Sequence, residues 1–221
     1  MEQKKDRQIL SKIYTRMKEM KIPPYWINKR FQDLKGDENY LAMVDKIKKW
    51  DFEIPSHVVL LSSENGIGKT HIAVCILRKF IHETYTKQKD ITNDECVFYS
   101  SNVGFPGYFI KEQDIYHLIT ETYRKDSTNS EKKIINDLVN MPLLIIDDMF
   151  ASRDNNFSNR IMYEIIDKRI DWYRRPTVIT SNYTISDINK INPRIASRLY
   201  SPLQFEIRSV KKDYRENNQT K

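Results

Sequence analysis

The fold of this 221-residue chain is decided by residues 58–71, Val58-Val-Leu-Leu-Ser-Ser-Glu-Asn-Gly-Ile-Gly-Lys-Thr-His71. Four apolar residues lead into a turn with Gly66 and Gly68, and Lys69-Thr70 then opens an amphipathic helix. This order predicts a phosphate-binding loop, because glycines let backbone N–H groups turn towards phosphate oxygens at a helix N-terminus. The alternative is an ordinary strand–turn–helix with a chance Gly-Lys-Thr.

Such a loop predicts ATP and Mg²⁺ as ligands. Lys69 can reach the β- and γ-phosphates, and the Thr70 hydroxyl can bind Mg²⁺. The pattern G-x-x-x-x-G-K-[ST] is met except at its first position, where Ser63 replaces glycine. The residues predicted to contact the nucleotide are Ser63, Glu64, Asn65, Gly66, Ile67, Gly68, Lys69, Thr70 and His71.

Apolar runs and amphipathic helices alternate along the chain, which predicts an α/β fold with a central parallel sheet flanked by helices. Strands are predicted at 58–61, 97–99, 143–148, 176–182 and 203–207, and 108–110 is either another strand or an extension of 97–99. Helices are predicted at 7–20, 39–50, 69–85, 112–123, 130–139, 158–173 and 192–200. Residues 1–50 form a short N-terminal helical extension, 51–215 the ATPase domain and 216–221 a flexible tail.

Polar side chains follow two of the predicted strands. Asp147 and Asp148 end the apolar run 143–148, where Asp147 can hold Mg²⁺ and Asp148 can orient or deprotonate the attacking water. Asn182 ends the next strand and can approach the γ-phosphate, since an amide both donates and accepts. The alternatives are a turn or helix cap for the acids and ordinary turn chemistry for Ser181-Asn182.

Arg194 and Arg198 lie four residues apart and so share one face of a short predicted helix. If that face meets the nucleotide of a neighbouring subunit, Arg198 can neutralise charge on the transferred phosphoryl group. The alternative is a pair of surface ion pairs, each worth under about 1 kcal/mol. The residues alone leave this choice open.

Charge is distributed unevenly along the chain. Residues 1–50 hold 13 Lys/Arg against 7 Asp/Glu (+6), residues 51–167 hold 12 against 18 (−6), and residues 168–221 hold 12 against 5 (+7). Basic ends favour a polyanion such as DNA, although a solvated lysine-rich surface is the alternative. The two cysteines have no metal-ligand spacing, no apolar run is long enough for a membrane span, and we expect a cytoplasmic protein.

These motifs together resemble the AAA+ ATPases of the DnaC/DnaI type, which load replicative helicases, with the IstB transposition ATPases as cousins. The resemblance covers roughly residues 22–215. Its matching stretches are Ile22-Pro-Pro-Tyr25, Phe31-Gln-Asp33, Glu64–Ala73, Leu143–Asp148, Tyr163–Arg169, Pro176–Asn182, Arg194–Leu199 and Asp213-Tyr-Arg215.

The resemblance implies a role for each matching residue. Lys69, Thr70 and Asp147 match the nucleotide and Mg²⁺ residues, Asn182 matches the sensor position, and Arg198 matches the finger that acts in a neighbouring subunit. Arg194 matches a second arginine of that motif and is a further predicted nucleotide contact. Arg215 matches a C-terminal basic position near the nucleotide. Ser209-Val210 stands where a glycine is usual, which leaves the role of Arg215 open.

The implied function is the loading of a hexameric replicative helicase onto single-stranded DNA, with subunits self-associating through the ATP site. Lys111, Arg124 and Lys125 are the candidate DNA contacts. The N-terminal helix is the candidate docking segment, with Ile9, Ile13 and Met17 as an exposed stripe; its alternative is packing against its own ATPase core. An IstB-like transposition ATPase and a monomeric kinase remain competing hypotheses.

Overall fold

The computed structural model contains a five-stranded parallel sheet. The structure describes residues 2–20, 22–53, 57–87, 107–124, 127–151, 156–201 and 203–207. Its strands are β1 His57–Leu61, β2 Gly107–Lys111, β3 Leu143–Met149, β4 Thr177–Ser181 and β5 Leu203–Glu206, in the spatial order β2-β3-β4-β1-β5. Every pairing is parallel, so all five strands end at one edge of the sheet. The predicted parallel α/β architecture is confirmed.

Helices cover both faces of this sheet. They are α1 Glu2–Glu19, α2 Pro24–Ile27, α3 Glu38–Lys48, α4 Lys69–Lys87, α5 Glu112–Glu121, α6 Glu131–Asn140, α7 Asn156–Asp167, α8 Ile185–Ile191 and α9 Pro193–Leu199. A 3₁₀ turn spans Phe31–Asp33, and a π-helical turn at Lys168–Trp172 continues α7.

Side chains of the central strands alternate between two hydrophobic cores, as the pleat of a strand requires. Val58 and Leu60 of β1 point into the core built with α1–α4. Val59 and Leu61 point into the core built with α5–α9. Because both faces of β1 are covered, all five of its residues are buried, which explains why its sequence is continuously apolar.

The N-terminal helix corrects one expectation. Ile9, Ile13 and Met17, predicted to form an exposed docking stripe, are 9%, 1% and 0% exposed. They belong to the core that contains α4, and Arg16 Nε also donates to the Tyr85 hydroxyl of α4 at 3.2 Å. The alternative, packing against the core of its own chain, is therefore what the structure shows, since an apolar stripe at helical spacing identifies a buried face but not its partner.

Three short elements were not predicted. They are the helix α2, which begins after Pro23, the 3₁₀ turn Phe31–Asp33, and the helix α8, which begins after Thr184. The signal for α8 is a capping box, in which the Thr184 hydroxyl accepts from Asp187 N and the Asp187 carboxylate accepts from Thr184 N. Several predicted features lie outside the described residues: the strand 97–99, Cys96, Lys125, Ser209-Val210, Arg215 and the tail 216–221.

Across the described ranges, the structure contains no helix long and apolar enough to span a bilayer.

Candidate functional site

The loop between β1 and α4 lies at the edge where the strands end. Gly66 and Gly68 have φ values of 73° and 93°, the left-handed region that glycine adopts without strain. The Tyr40 hydroxyl of α3 donates to Ile67 O at 3.1 Å and so ties the crest of the loop to that helix. The helix α4 starts at once, with Ile72 N donating to Gly68 O at 2.9 Å. The loop thus wraps the N-terminus of α4.

Lys69 lies inside this loop and is 6% exposed. Its ammonium group donates to Glu64 O at 2.8 Å and to Ser62 O at 3.5 Å. The loop therefore keeps a cation at its centre, curled against its own carbonyl groups.

The first turn of α4 meets the end of β3 through one carboxylate. Thr70 Oγ1 donates to Asp147, with distances of 3.0 Å to Oδ1 and 3.2 Å to Oδ2. Thr180 of β4 donates its hydroxyl to Asp147 Oδ1 at 2.7 Å and accepts from Asp148 N at 3.0 Å. Three neighbouring elements thus converge on Asp147, as the common strand edge predicts.

Burial dominates the electrostatics of this carboxylate. Asp147 is 1% exposed, and desolvation raises its pKa, while the hydroxyls of Thr180 and Thr70 act in the opposite direction. The Asp148 charge raises that pKa further. A carboxylate with a hydroxyl beside it is an oxygen donor pair of the kind that Mg²⁺ accepts. The described residues contain no group of three or more His, Cys, Asp or Glu that could hold a metal ion by themselves.

A cleft above the loop brings the predicted loop residues together with two strand ends. It is lined by Tyr25, Trp26, Lys29, Leu34, Lys35, Tyr40, Asn65, Gly66, Ile67, Gly68, Lys69, Thr70, His71, Asp148 and Asn182. Of the residues predicted to contact nucleotide, Ser63 and Glu64 lie in the loop but do not line the cleft. Asp148 reaches the wall from a left-handed backbone with φ of 56°, within the irregularity between Ile146 and Met149 in the pairing of β3 with β4.

One wall of the cleft comes from the segment between α1 and α3, which sequence reasoning did not place there. Trp26 packs edge-on against His71, with ring centroids 6.1 Å apart, and Lys29 lies over the Tyr25 ring at 4.2 Å. His71 Nε2 lies 3.0 Å from Arg30 O, and burial lowers the pKa of its imidazole. The only local signal was two aromatic residues directly after Pro23-Pro24.

The structure does not bring Arg194 or Arg198 into the cleft of their own subunit. Arg198 on α9 pairs with Asp167 at 2.5 Å and with Asp171 at 3.0 Å. Its guanidinium stacks on the Tyr163 ring at 4.7 Å, and that of Arg194 lies 5.9 Å from the same ring.

The predicted DNA contacts are only partly described. Lys111 ends β2 in register with Asp147 and is exposed at the strand edge. Arg124 lies just beyond α5 and is exposed.

Sequence reasoning did not identify Arg169 as a buried structural residue. Arg169, in the π-helical turn, is fully buried, and burial together with the charge of Arg175 lowers its pKa well below the usual value. It donates to five neutral oxygens: Thr177 Oγ1, Leu138 O, Val139 O, Met141 O and Pro176 O, at 2.6–3.0 Å. It thus joins the C-terminus of α6 to the start of β4.

Comparison with curated proteins gives one type of relative. The replicative helicase loader DnaC of Escherichia coli K12 is 25% identical over 169 residues, and the match covers 76% of this chain. The chain is therefore similar in sequence to DnaC. The DnaC of Shigella flexneri matches to the same extent. The match spans 59% of the length of these relatives. No protein-family model matches the chain.

Solved structures share the fold. A crystal structure of the DnaC helicase loader superposes with a TM-score of 0.61 at 20% identity, covering 84% of this chain and all of that chain. DnaI gives 0.59 at 15% identity, covering 85% and 92%. AMPPCP-bound DnaA from Aquifex aeolicus gives 0.62 at 13% identity, covering 85% and 52%. The predicted α/β fold, with a central parallel sheet flanked by helices, is therefore shared with these structures.

Proposed function

We propose that this chain is an ATPase that loads a hexameric replicative helicase onto single-stranded DNA. The observation that carries the proposal is the sequence similarity to DnaC, which extends over 169 residues, or 76% of this chain. Because the match spans only 59% of the relatives' length, the geometry of the site supplies the second argument.

ATP is the proposed substrate, and the loop geometry supports it. Backbone N–H groups of the loop at Gly66 and Gly68 surround the N-terminus of α4, where the helix dipole favours phosphate. Lys69 needs only to exchange its bonds to Glu64 O and Ser62 O for phosphate oxygens. The aromatic wall at Tyr25 and Trp26 offers a surface for a base. A nucleotide analogue, AMPPCP, is bound in the similar DnaA structure.

Mg²⁺ is the proposed metal, held by the Thr70 hydroxyl and the Asp147 carboxylate. The donor set fits, because Mg²⁺ is usually bound by one or two protein oxygens together with substrate phosphates and water. Bound MgATP would supply a phosphoryl group activated for transfer to water. Asp148 and Asn182 both line the cleft. In this proposal Asp148 orients or deprotonates the attacking water, and Asn182 approaches the γ-phosphate and that water.

We further propose that the site is completed by a second copy of the chain. Arg198 is anchored outside its own cleft, which supports a role at the cleft of a neighbouring copy. A guanidinium supplied in this way accelerates phosphoryl transfer by roughly 10³–10⁵-fold. Self-association through ATP would follow from the same contact.

The similarity to DnaC favours the helicase loader over the transposition ATPase, and the kinase hypothesis is tested by the same experiment. Purified replicative helicase would be mixed with the chain, ATP and a single-stranded circle that carries an annealed oligonucleotide. We expect release of the oligonucleotide to depend on this chain, and to be lost with Lys69→Ala. Helicase activity that is indifferent to the chain, or ATP turnover only with a small-molecule acceptor, would contradict the proposal.

A further inference from the structure

The surroundings of Arg198 are more ordered than a surface ion pair requires. Three side chains of one helical segment, Tyr163, Asp167 and Asp171, follow one another at intervals of four residues and all face the guanidinium. Arg198 and Asp167 are both only 19% exposed, whereas Asp171 is 48% exposed. The inner part of this cluster is thus shielded from solvent.

The plane and the direction of the guanidinium are both fixed. Arg198 Nε donates to Asp167 Oδ1 at 2.7 Å, and Nη2 donates to the Tyr163 hydroxyl at 3.0 Å. The Tyr163 ring supports one flat face at 4.7 Å, and Nη1 donates to Arg194 O at 2.9 Å. A planar, forked cation held along its edge and its face keeps one orientation, which a flexible lysine would not.

Asp167 is itself held in place. Its second oxygen, Oδ2, accepts from the indole Nε1 of Trp172 at 3.1 Å, so the carboxylate is bonded on both oxygens. Trp172 is 76% exposed, so its described contribution is this hydrogen bond and not burial of its ring. A chain of contacts therefore runs from Trp172 through Asp167 to Arg198.

From this geometry we propose that Asp167 and Tyr163 are positioning residues for Arg198 as it completes the ATP site of a second copy of the chain. The inference rests on the proposed function and names the residues that hold Arg198 in position. A hydrogen-bond donor stabilises the transition state fully only when it is already held in the right position, and a displacement of about 1 Å can lower the rate about a hundredfold.

The test is phosphate release by the full chain with single-stranded DNA, compared across matched variants. Asp167→Asn keeps the shape of the side chain and removes its charge, and Tyr163→Phe keeps the ring and removes the hydroxyl. We expect hydrolysis to fall roughly tenfold to a hundredfold with Asp167→Asn and less with Tyr163→Phe. Glu164→Gln is the control, because Glu164 pairs with Lys168 at 2.6 Å on the same helix but does not contact Arg198.

Two readouts separate positioning from a general loss of structure. Asp167→Asn should bind ATP with unchanged affinity, and its hydrolysis should recover when it is mixed with Lys69→Ala subunits, which retain an intact Arg198. The double variant Asp167→Asn/Arg198→Ala should hydrolyse ATP no more slowly than Arg198→Ala alone, because a positioning residue acts through the group it positions.

Each outcome decides one question. If Arg198→Ala hydrolyses ATP like the wild type, the trans site of the proposed function is wrong. If Arg198→Ala is inactive but Asp167→Asn and Tyr163→Phe stay within twofold of the wild type, the trans site holds and the positioning role is wrong. If Asp167→Asn does not fold, Tyr163→Phe with the mixing test decides by itself.

Discussion

The buried guanidinium of Arg169 and the buried carboxylate of Asp147 have different surroundings. The guanidinium of Arg169 lies among five neutral oxygens at 2.6–3.0 Å that accept along its whole edge. The carboxylate of Asp147 receives hydroxyl donors from Thr70 and Thr180, and burial raises its pKa. The first site is complete in the chain itself, whereas the second is arranged around a charge that a cation would stabilise.

The difference separates a site that stabilises the fold from a site that binds a ligand. A charge whose hydrogen bonds are all made inside the protein fixes the arrangement of α6 and β4. The Asp147 carboxylate lies at a strand edge beside the charge of Asp148, which raises its pKa further, so its ionised form destabilises the empty protein and favours a ligand that brings positive charge. The predictions below test this contrast.

The largest effect is expected from Lys69→Ala. The variant removes the cation at the centre of the loop and should weaken ATP binding by about 2–5 kcal/mol. Isothermal calorimetry with a non-hydrolysable analogue measures this loss. Thermal unfolding should show a much smaller change, and an unfolded variant would mean that the loop is a stability element like Arg169.

The next effect concerns the complete site. Arg169→Met keeps much of the volume and leaves the carbonyl groups of Leu138, Val139 and Met141 without their shared donor. We expect a loss of at least about 3 kcal/mol in the free energy of unfolding, measured by urea denaturation. Arg175→Met is the control, because the half-buried Arg175 donates to the same connection at Asn140 O. Equal losses for both variants would contradict the special role of burial.

Gly68→Ala should act on the loop itself. A Cβ at this position would lie 2.7 Å from the Tyr40 hydroxyl on a backbone with φ of 93°. The combination should destabilise the loop by about 1–2 kcal/mol and weaken nucleotide binding to a similar extent. Adding Tyr40→Phe removes the steric conflict but not the backbone strain, so calorimetry on the double variant should show a partial recovery. A full recovery would mean that the φ value costs nothing.

Asp147→Asn should have the smallest effect on stability, and this effect should be a gain and not a loss. Since burial raises the folded pKa of Asp147, its ionised form costs stability, and that cost appears as the pH rises above the ordinary aspartate pKa. The amide should therefore stabilise the nucleotide-free protein at neutral pH by about 1 kcal/mol, or about 2–4 °C in Tm, and should abolish hydrolysis. The gain should disappear in acid. A destabilised variant at neutral pH would contradict the contrast.

The sheet could be predicted from sequence because its strands are buried on both faces. The runs at β1, β3 and β4 are continuously apolar, and a pattern of that kind has few other solutions. The parallel arrangement then placed Thr70, Asp147 and Asn182 near one edge. Local chemistry and the order of the elements were sufficient for this part of the site.

Other features depend on contacts between distant residues, which no local pattern encodes. The burial of Ile13 and Met17 depends on a partner surface on α4, and the stripe itself looks the same with or without one. Trp26 reaches the cleft only because α2 folds against that surface. The helix α8, by contrast, was missed although its capping box at Thr184 and Asp187 was present in the sequence.

The π-helical turn at Lys168–Trp172 sets a limit on length changes in this chain. A π turn holds one residue more than the α-helical turn that would replace it. Deleting a single residue there would convert the π turn into an α-helical turn and shift the side chains within it, so Arg169 and Asp171 could not both keep their present neighbours. Insertions and deletions in this turn should be far less tolerated than in the exposed connection around residue 128.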